Sequence, residues 1–380
     1  MKATVRVSQL QELLDLVSRF VSRHATLPIL ENVLIKAWVD TITLKATDME
    51  KYIEVEMPAQ VESDGALTIN AKTLTDIIKA TDDEQVLLHA DLTKDSLKIT
   101  TSNDNFTIKW ISASEYVAVP TVQSDTSVVL QTRAFSYWIS KVEYAVTEKN
   151  FSPVLTWVYI RTKDTSEWKK LVFVGTDSFR LGEYSIDFAW TSQDFSLIIP
   201  KIHINDIKRV ADYSLSKEND TMTLQYSDNM IHVSFQAWDV TLHCTTLLIQ
   251  WTFPDYENEN IMPTTFNAKV RIESTVLDKA IKKIGILTRD INNFISIQLE
   301  DDAIAISSWD TDMWKWATRL PCLVEWEMTW FGMNWKYVSD FLRSAQWDEV
   351  VMNVVDNQKP VIFKDIDDEQ FTYIVRPLIK

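Results

Sequence analysis

Apolar residues recur at two periods along this chain, and the alternation of those periods predicts its elements. Leu10, Leu13, Leu14, Val17, Phe20 and Val21 follow the i, i+3, i+4, i+7 spacing of an amphipathic helix. Ser8 and Gln11 ahead of that stripe have the spacing of a capping box. The same period returns at Phe135, Trp138, Ile139, Val142, Ala145 and Val146, and again at Leu277, Ala280, Ile281 and Ile284. A shorter stripe recurs as Leu74, Ile77 and Ile78; as Ile207, Val210 and Ala211; and as Tyr337, Val338, Phe341 and Leu342. Six helices are thus predicted, over residues 8–23, 71–80, 131–149, 201–212, 273–286 and 334–345. Between them, two-residue alternation in runs such as Thr41-Ile42-Thr43-Leu44 and Leu97-Lys98-Ile99-Thr100 predicts short strands, parted by turn clusters such as Thr81-Asp82-Asp83-Glu84. Helices alternating with groups of one-faced strands predict an α+β fold with helices on one side of a sheet.

One phrase occurs three times within this pattern. Ala46-Thr47-Asp48-Met49-Glu50 leads into the strand-like Tyr52-Ile53-Glu54-Val55, Gly175-Thr176-Asp177-Ser178-Phe179-Arg180-Leu181 does the same, and Trp309-Asp310-Thr311-Asp312-Met313 is the third copy. Asp48, Asp177 and Asp310 lie 129 and 133 residues apart. That period far exceeds the roughly 20–50 residues of solenoid repeats, so it marks three copies of a whole domain. Polar stretches at 123–126 and 257–260 place the domains at 1–124, 125–259 and 260–380. A tandem of like domains suits a curved or ring-shaped assembly better than a pocket enzyme.

Hydrophobic residues make up 46% of the chain, enough for ordinary cores. The formal net charge of −16, taken whole, speaks against a nucleic-acid partner. Its distribution reverses that inference. The six helical spans hold 15 Lys and Arg against 10 Asp and Glu, a balance of +5, leaving −21 for the remainder. The basic set is Arg19, Arg23, Lys72, Lys79, Arg133, Lys141, Lys149, Lys201, Lys208, Arg209, Lys279, Lys282, Lys283, Lys336 and Arg343, with His24 assigned to the same face beside Arg23. Any one of these is explained as well by a solvated helix face; the aggregate carries the argument. Lys and Arg with little aromatic interleaving suit loose, sequence-independent phosphate contact.

The chain has 5 Gly and 15 Trp, whereas Gly normally makes up about 7% of residues. Trp38-Val39-Asp40 and Trp238-Asp239 fall between alternating runs, where hairpins want Gly, Asn or Asp at positive φ. Trp309, Trp314 and Trp316 crowd one polar loop. We read many of these as Gly in the natural protein, through a codon that its host decodes as Gly.

Catalytic constellations are lacking. The five histidines, His24, His89, His203, His232 and His243, show no paired metal-ligand spacing, and Cys244 and Cys322 are expected as reduced thiols. No GxSxG is present. Asp310-Thr311-Asp312 lacks the Gly and distal Glu of a calcium loop. Reading Trp309 and Trp314 to Trp316 with Gly gives only a superficial phosphate loop, without the Ser or Thr that would hold magnesium. No cofactor, metal or enzymatic activity is expected. No signal peptide or membrane-spanning run is seen, so a cytoplasmic protein with no membrane partner is expected.

Five phrases in order, Thr26-Leu27-Pro28-Ile29-Leu30, Ala46 to Glu50, Thr176 to Leu181, Phe253-Pro254-Asp255-Tyr256 and Tyr373-Ile374-Val375-Arg376-Pro377-Leu378, resemble the bacterial DNA polymerase III β subunit, the sliding clamp, over the whole chain. The resemblance implies three tandem clamp domains, each with two helices on antiparallel sheets, and a head-to-tail homodimeric ring whose helices line a hole for duplex DNA. It implies a non-enzymatic processivity factor that tethers the polymerase III catalytic subunit, the clamp loader and other proteins with a clamp-binding motif. Carried over by position, the partner cleft comprises Leu155, Thr176, Arg180, Leu181, Pro254, Asn334, Tyr337, Ile374, Pro377 and Leu378. For Leu155, Leu181 and Ile374, plain core packing is the competing explanation. The dimer seam sets Phe106 and Ile108 against Ile286 and Leu287. Arg376 stands where the family commonly has an apolar residue, Asn258 where a basic one is frequent, and Phe179 replaces a common His. The alternatives are a clamp-fold scaffold that binds peptides without loading on DNA and, more distantly, a metal enzyme using Asp310 and Asp312.

Overall fold

The computed structural model describes residues 1–22, 27–91, 95–120, 122, 127–147, 156–166, 168–188, 194–288, 293–308, 316–326, 329–344, 348–366 and 368–378, with the side chains of Leu287 and Trp326 set aside. The third Thr-Asp phrase, the predicted boundary at 124, and Arg23, His24, Lys149 and Leu155 lie outside the described residues.

The first third of the chain runs β1 (Lys2–Arg6), α1 (Val7–Val17), β2 (Asn32–Trp38), β3 (Thr41–Thr47), β4 (Lys51–Pro58), β5 (Gln60–Ser63), β6 (Gly65–Asn70), α2 (Ala71–Lys79), β7 (Gln85–Asp91), β8 (Ser96–Thr100), β9 (Asn105–Lys109) and β10 (Ile111–Ser112). The middle third runs β11 (Ser127–Leu130), α3 (Thr132–Val142), β12 (Trp157–Asp164), β13 (Lys169–Thr176), β14 (Arg180–Asp187), β15 (Ser196–Pro200), α4 (Lys201–Ser216), β16 (Met222–Tyr226), β17 (Met230–Ala237) and β18 (Val240–Leu247). The last third runs β19 (Ala268–Glu273), α5 (Ser274–Thr288), β20 (Phe294–Glu300), β21 (Ala303–Ser308), β22 (Ala317–Pro321), β23 (Leu323–Trp326), β24 (Trp330–Asn334), α6 (Trp335–Ser344), β25 (Glu349–Val354), β26 (Val361–Asp365) and β27 (Phe371–Val375).

The six predicted helices stand, with shifted ends. α1 stops at Val17, six residues short of the predicted span, and Phe20 is buried just beyond it. The predicted capping box does not form: Arg6 is the N-cap, with no side-chain cap, and Ser8 lies inside the first turn. Strand β1 runs straight into α1, so the Val7 amide donates to the Glu84 carbonyl at 3.0 Å instead. α2 does have a side-chain cap, with Asn70 Oδ1 accepting from the Thr73 amide at 3.0 Å.

The chain forms two compact units. One comprises residues 1–136 and 202–250, the other 137–201 and 251–380. In the first, an antiparallel sheet of order β5-β1-β7-β8-β9 accompanies a nine-stranded sheet, β10-β6-β2-β3-β4-β18-β17-β16-β11. The nine-stranded sheet joins strands of two like domains through β4 and β18, where Val55 sits opposite Leu242. Beside that seam the Lys51 ammonium pairs with the Asp206 carboxylate of α4, both side chains buried. The second unit repeats the plan with β15-β12-β13-β14-β27-β26-β25-β19-β23 and a four-stranded sheet, β22-β21-β20-β24. Its junction is β14 against β27, with Leu181 opposite Ile374.

The repeated phrase is a turn held by its own side chains. In the first copy Asp48 Oδ1 accepts from the amides of Glu50 (3.0 Å) and Lys51 (2.9 Å), and Thr47 Oγ1 from that of Met49 (2.8 Å). In the second, Asp177 Oδ1 accepts from Phe179 and Arg180 (3.0 Å each), and Thr176 Oγ1 from Ser178 (3.2 Å). Met49 and Ser178 both take positive φ, +78° and +72°. Thr and Asp recur because each satisfies amides that the reversal leaves unpaired.

Trp238 occupies the turn between β17 and β18 at φ +56°, with 74% of its surface exposed. A left-handed conformation costs a bulky residue about 1–2 kcal/mol and glycine almost nothing. The expectation of natural glycines fits this position. At the β2–β3 turn the strained residue is Val39 (φ +55°) rather than Trp38. Replacing Trp238→Gly should raise unfolding stability by about 1 kcal/mol in urea titration. Protein purified from its own host should weigh less than the 15-Trp chain on intact-mass measurement; a mass matching all 15 would refute the recoding.

Two histidines of the first unit are kept neutral. Burial, and then the nearby Lys51 charge, pushes His203 down to about 4; burial and the facing His243 do the same to His232, also to about 4. His203 Nδ1 pairs with Thr246 Oγ1 at 2.6 Å, and His232 Nδ1 with Thr245 Oγ1 at 2.9 Å. Because the folded values lie below the unfolded one of about 6.5, their contribution is complete above that pH and is lost on acidification towards 4. Urea midpoints between pH 7 and 4 should therefore fall, each histidine steepening the slope by at most about 1.4 kcal/mol per pH unit; His232→Gln should flatten it.

Candidate functional site

In the second unit the second Thr-Asp turn, the Phe253–Tyr256 phrase and the end of β27 meet around a groove of about 510 Å³. Leu181 and Ile374 form its floor and also belong to a buried cluster with Val172, Val174, Ile362 and Tyr256. Both functional and core expectations therefore apply to them. The Phe253 ring stacks on Tyr159 at 4.4 Å between centroids, and the Tyr256 hydroxyl donates to Glu183 at 2.6 Å while accepting from Arg161 at 3.2 Å. These contacts present Pro254 to the groove.

Arg180 braces the turn from beneath. Its guanidinium donates to Asp177 (2.9 Å) and Asp340 (2.7 Å) and lies over the Tyr337 ring at 4.5 Å. Burial lifts the Asp177 carboxyl above its ordinary range in spite of the Arg180 charge.

Of the ten residues assigned to the cleft, Thr176, Arg180, Leu181, Pro254 and Ile374 line this groove. Tyr337 supports it through Arg180. Asn334, Pro377 and Leu378 lie outside its lining: Asn334 Oδ1 accepts from the Lys336 amide at 3.0 Å at the start of α6, and the Leu378 amide donates to Gly332 O at 2.9 Å. The lining adds Phe179, Phe253, Tyr256, Asn260, Ile261, Lys359, Pro360 and Arg376 among others. The Phe253 phrase and the departures at 179 and 376 were signals for several of these. The 358–360 loop carried none, because its position depends on Asp356 Oδ1 accepting from the Gln358 and Lys359 amides (2.7 Å each).

On the helices Lys72, Lys79, Arg133, Arg209, Lys279, Lys282, Lys283, Lys336 and Arg343 are exposed, as is Arg19 just beyond α1, and Lys201 and Lys208 are half-buried. Lys141 corrects the expected set. It is only 2% exposed, its ammonium donates to the Ser344 carbonyl at 2.8 Å and lies 4.7 Å from the Tyr137 ring centroid, and burial lowers its pKa. Its place on the helix stripe turns it inward, so it has no surface to offer a phosphate. Some exposed cations are partly neutralised, as Lys79 is by Asp15 and Lys282 by Asp278, both at 2.5 Å.

Among the described residues β9 is one edge strand of its sheet, with Phe106 and Ile108 half-buried along it. Among the described residues β22 is one edge strand of the four-stranded sheet, and Ile286 on α5 is 70% exposed. Strand β22 was absent from the expected seam because its pairing partner, β21, is what makes it a strand.

Sequence profiles of the N-terminal, central and C-terminal domains of the DNA polymerase III beta subunit match residues 1–120, 129–255 and 259–379. The chain belongs to the DNA polymerase III beta subunit family. It is 26% identical to the beta sliding clamp of Synechococcus elongatus, covering 100% of this chain and 99% of that one. It is 24% identical to that of Staphylococcus epidermidis, with 94% of each covered. Among solved structures, Caulobacter crescentus pol III beta superposes with a TM-score of 0.91 at 22% identity over the full length of both chains. The Thermotoga maritima beta subunit gives 0.89 at 20%, covering 100% of this chain and 99% of that one. A Bartonella birtlesii sliding clamp, 22% identical with a TM-score of 0.91 and full coverage of both chains, was solved bound to griselimycin. The chain is a DNA sliding clamp with the three-domain clamp fold, a replication factor and not an enzyme.

Arg180→Met would remove the cation between two half-buried carboxylates, leaving Asp177 without it and Asp340 with only Arg343, at 3.8 Å. Stability should drop by about 2–3 kcal/mol in chemical denaturation, whereas Arg376→Met, at an exposed position, should stay within about 0.5 kcal/mol.

Proposed function

We propose that two copies of this chain close head to tail into a ring around duplex DNA, with domains 1–124, 125–259 and 260–380 arranged in series. One observation carries this reading. Within each domain the strand after the Thr-Asp position is β4, β14 or β22, and the last long strand is β9, β18 or β27. β4 pairs with β18 and β14 with β27, so among the described residues β22 and β9 are the two members of the series with no partner strand from another domain. An antiparallel β22–β9 contact between copies would satisfy both edges and repeat the two junctions already formed. Phe106 and Ile108 on one copy, with Ile286, Leu287 and β22 on the other, would make the seam.

The exposed helix cations, without Lys141, are the DNA-facing set, joined by Arg23, His24 and Lys149. They act as diffuse charge: many weak phosphate contacts hold a duplex loosely and leave it free to slide. The groove around Leu181 and Ile374 takes short apolar-anchored segments of the polymerase III catalytic subunit, the clamp loader and other proteins with a clamp-binding motif. Such a protein works in the cytoplasm; among the described residues, no helix is long and apolar enough to cross a membrane.

Analytical ultracentrifugation should give a dimer at micromolar concentration, and protein loaded on nicked circular DNA should be retained until the circle is linearised. Ile108→Asp should yield monomers with an unchanged circular dichroism spectrum. A wild-type monomer that circles do not retain would refute the ring and favour the scaffold.

A further inference from the structure

The groove carries a charge opposite to that of its chain. Across 380 residues Asp and Glu outnumber Lys and Arg by 54 to 38, yet the groove lining holds Arg180, Lys359 and Arg376 and no carboxylate. Arg180 is neutralised by Asp177 and Asp340. The other two cations are not: among the described residues neither Lys359 nor Arg376 has a carboxylate partner. The Lys359 ammonium donates to the neutral Asn260 Oδ1 at 2.5 Å, and the Arg376 side chain is exposed. The backbone fixes where the Arg376 side chain emerges, since its amide donates to Phe179 O at 2.8 Å and ties the end of β27 to the second Thr-Asp turn. The apolar surfaces of Leu181, Ile374, Pro360 and Ile261 line the same groove, and the pairing of Val361 with Val375 brings Lys359 and Arg376 to the same end of β26 and β27.

From this we infer that the groove selects peptides carrying a carboxylate next to their apolar anchors, and that Arg376 and Lys359 read that charge. The inference rests on the groove being the partner site and adds a specificity to it. A half-exposed cation beside an apolar floor is worth little to a neutral peptide. For an acidic one it supplies a charge-assisted hydrogen bond at the edge of a desolvated patch. The acidic remainder of the surface would repel the same peptide elsewhere, so charge also confines binding to the groove.

The test uses the full chain and labelled hexapeptides with two leucines and one Glu, the Glu moved through the remaining positions, each paired with its Gln analogue. In low salt, fluorescence anisotropy should show at least one Glu peptide binding about three- to fivefold more tightly than its Gln twin. The preference should vanish in the Arg376→Met, Lys359→Met double variant and reverse in Arg376→Glu. Twins that bind alike at every position, or a preference that survives the double variant, would overturn the inference. A photo-crosslinking leucine analogue in the same peptides separates the two failures. Crosslinks in the groove without a Glu preference overturn the specificity alone. Crosslinks confined to other surfaces overturn the site and the specificity with it.

Discussion

The pairing of sheet edges between like domains organises this fold. A strand edge is a row of backbone donors and acceptors, and leaving it open in a sheet this long invites indiscriminate association. The chain pairs such edges by copying one solution. The strand after a Thr-Asp turn pairs with the final strand of the next like domain, once as β4–β18 and once as β14–β27. Each junction converts two short sheets into one of nine strands, and the side-chain contacts follow from it. Lys51 and Asp206 become neighbours because β4 and β18 are paired; Leu181 meets Ile374 because β14 and β27 are. The groove is a by-product of the second junction, floored by residues whose first duty is the core.

That double duty explains what could be read from the residues alone. Helix positions were legible because the i, i+3, i+4 stripe is local: Leu10, Leu13 and Leu14 are all fully buried, as their spacing requires. Helix ends were less so. The start of α1 is set by Glu84, nearly eighty residues away, and no local motif near Ser8 reports that contact. The Thr-Asp turns were legible as a repeat, though their purpose was not; amide capping by Asp48 and Asp177 emerges only with the backbone in place. In the groove, Thr176, Arg180, Leu181 and Ile374 were reachable through a family phrase, whereas Lys359 and Pro360 arrive from a separate loop and belong to no phrase.

Lys141 shows the limit of arguing from charge counts. A tally along a helix treats each lysine as solvated, yet one on the apolar side of α3 must bring its ammonium into the core. There a carbonyl and aromatic faces replace water, at the cost of a lowered pKa. The aggregate proposal does not rest on Lys141: nine other cations on the helices, and Arg19 just beyond α1, are exposed, and a diffuse electrostatic surface does not depend on any one of them.

The two charge patterns work at different ranges, which lets them share one chain. In the proposed ring the helix cations would act on a polyanion through many contacts, each weak and exchangeable, so a duplex could be held without being fixed in register. Lys359 and Arg376, as proposed, would act over a single hydrogen-bond length on a small ligand whose apolar anchors are already seated. Both depend on the excess of acid elsewhere: at −16 overall, the remaining surface repels DNA and acidic peptides alike. A clamp with a neutral surface would bind both ligands in more places and less usefully. On the proposed reading, the net negative charge that first argued against a DNA partner is part of how two anionic ligands would be kept to their own sites.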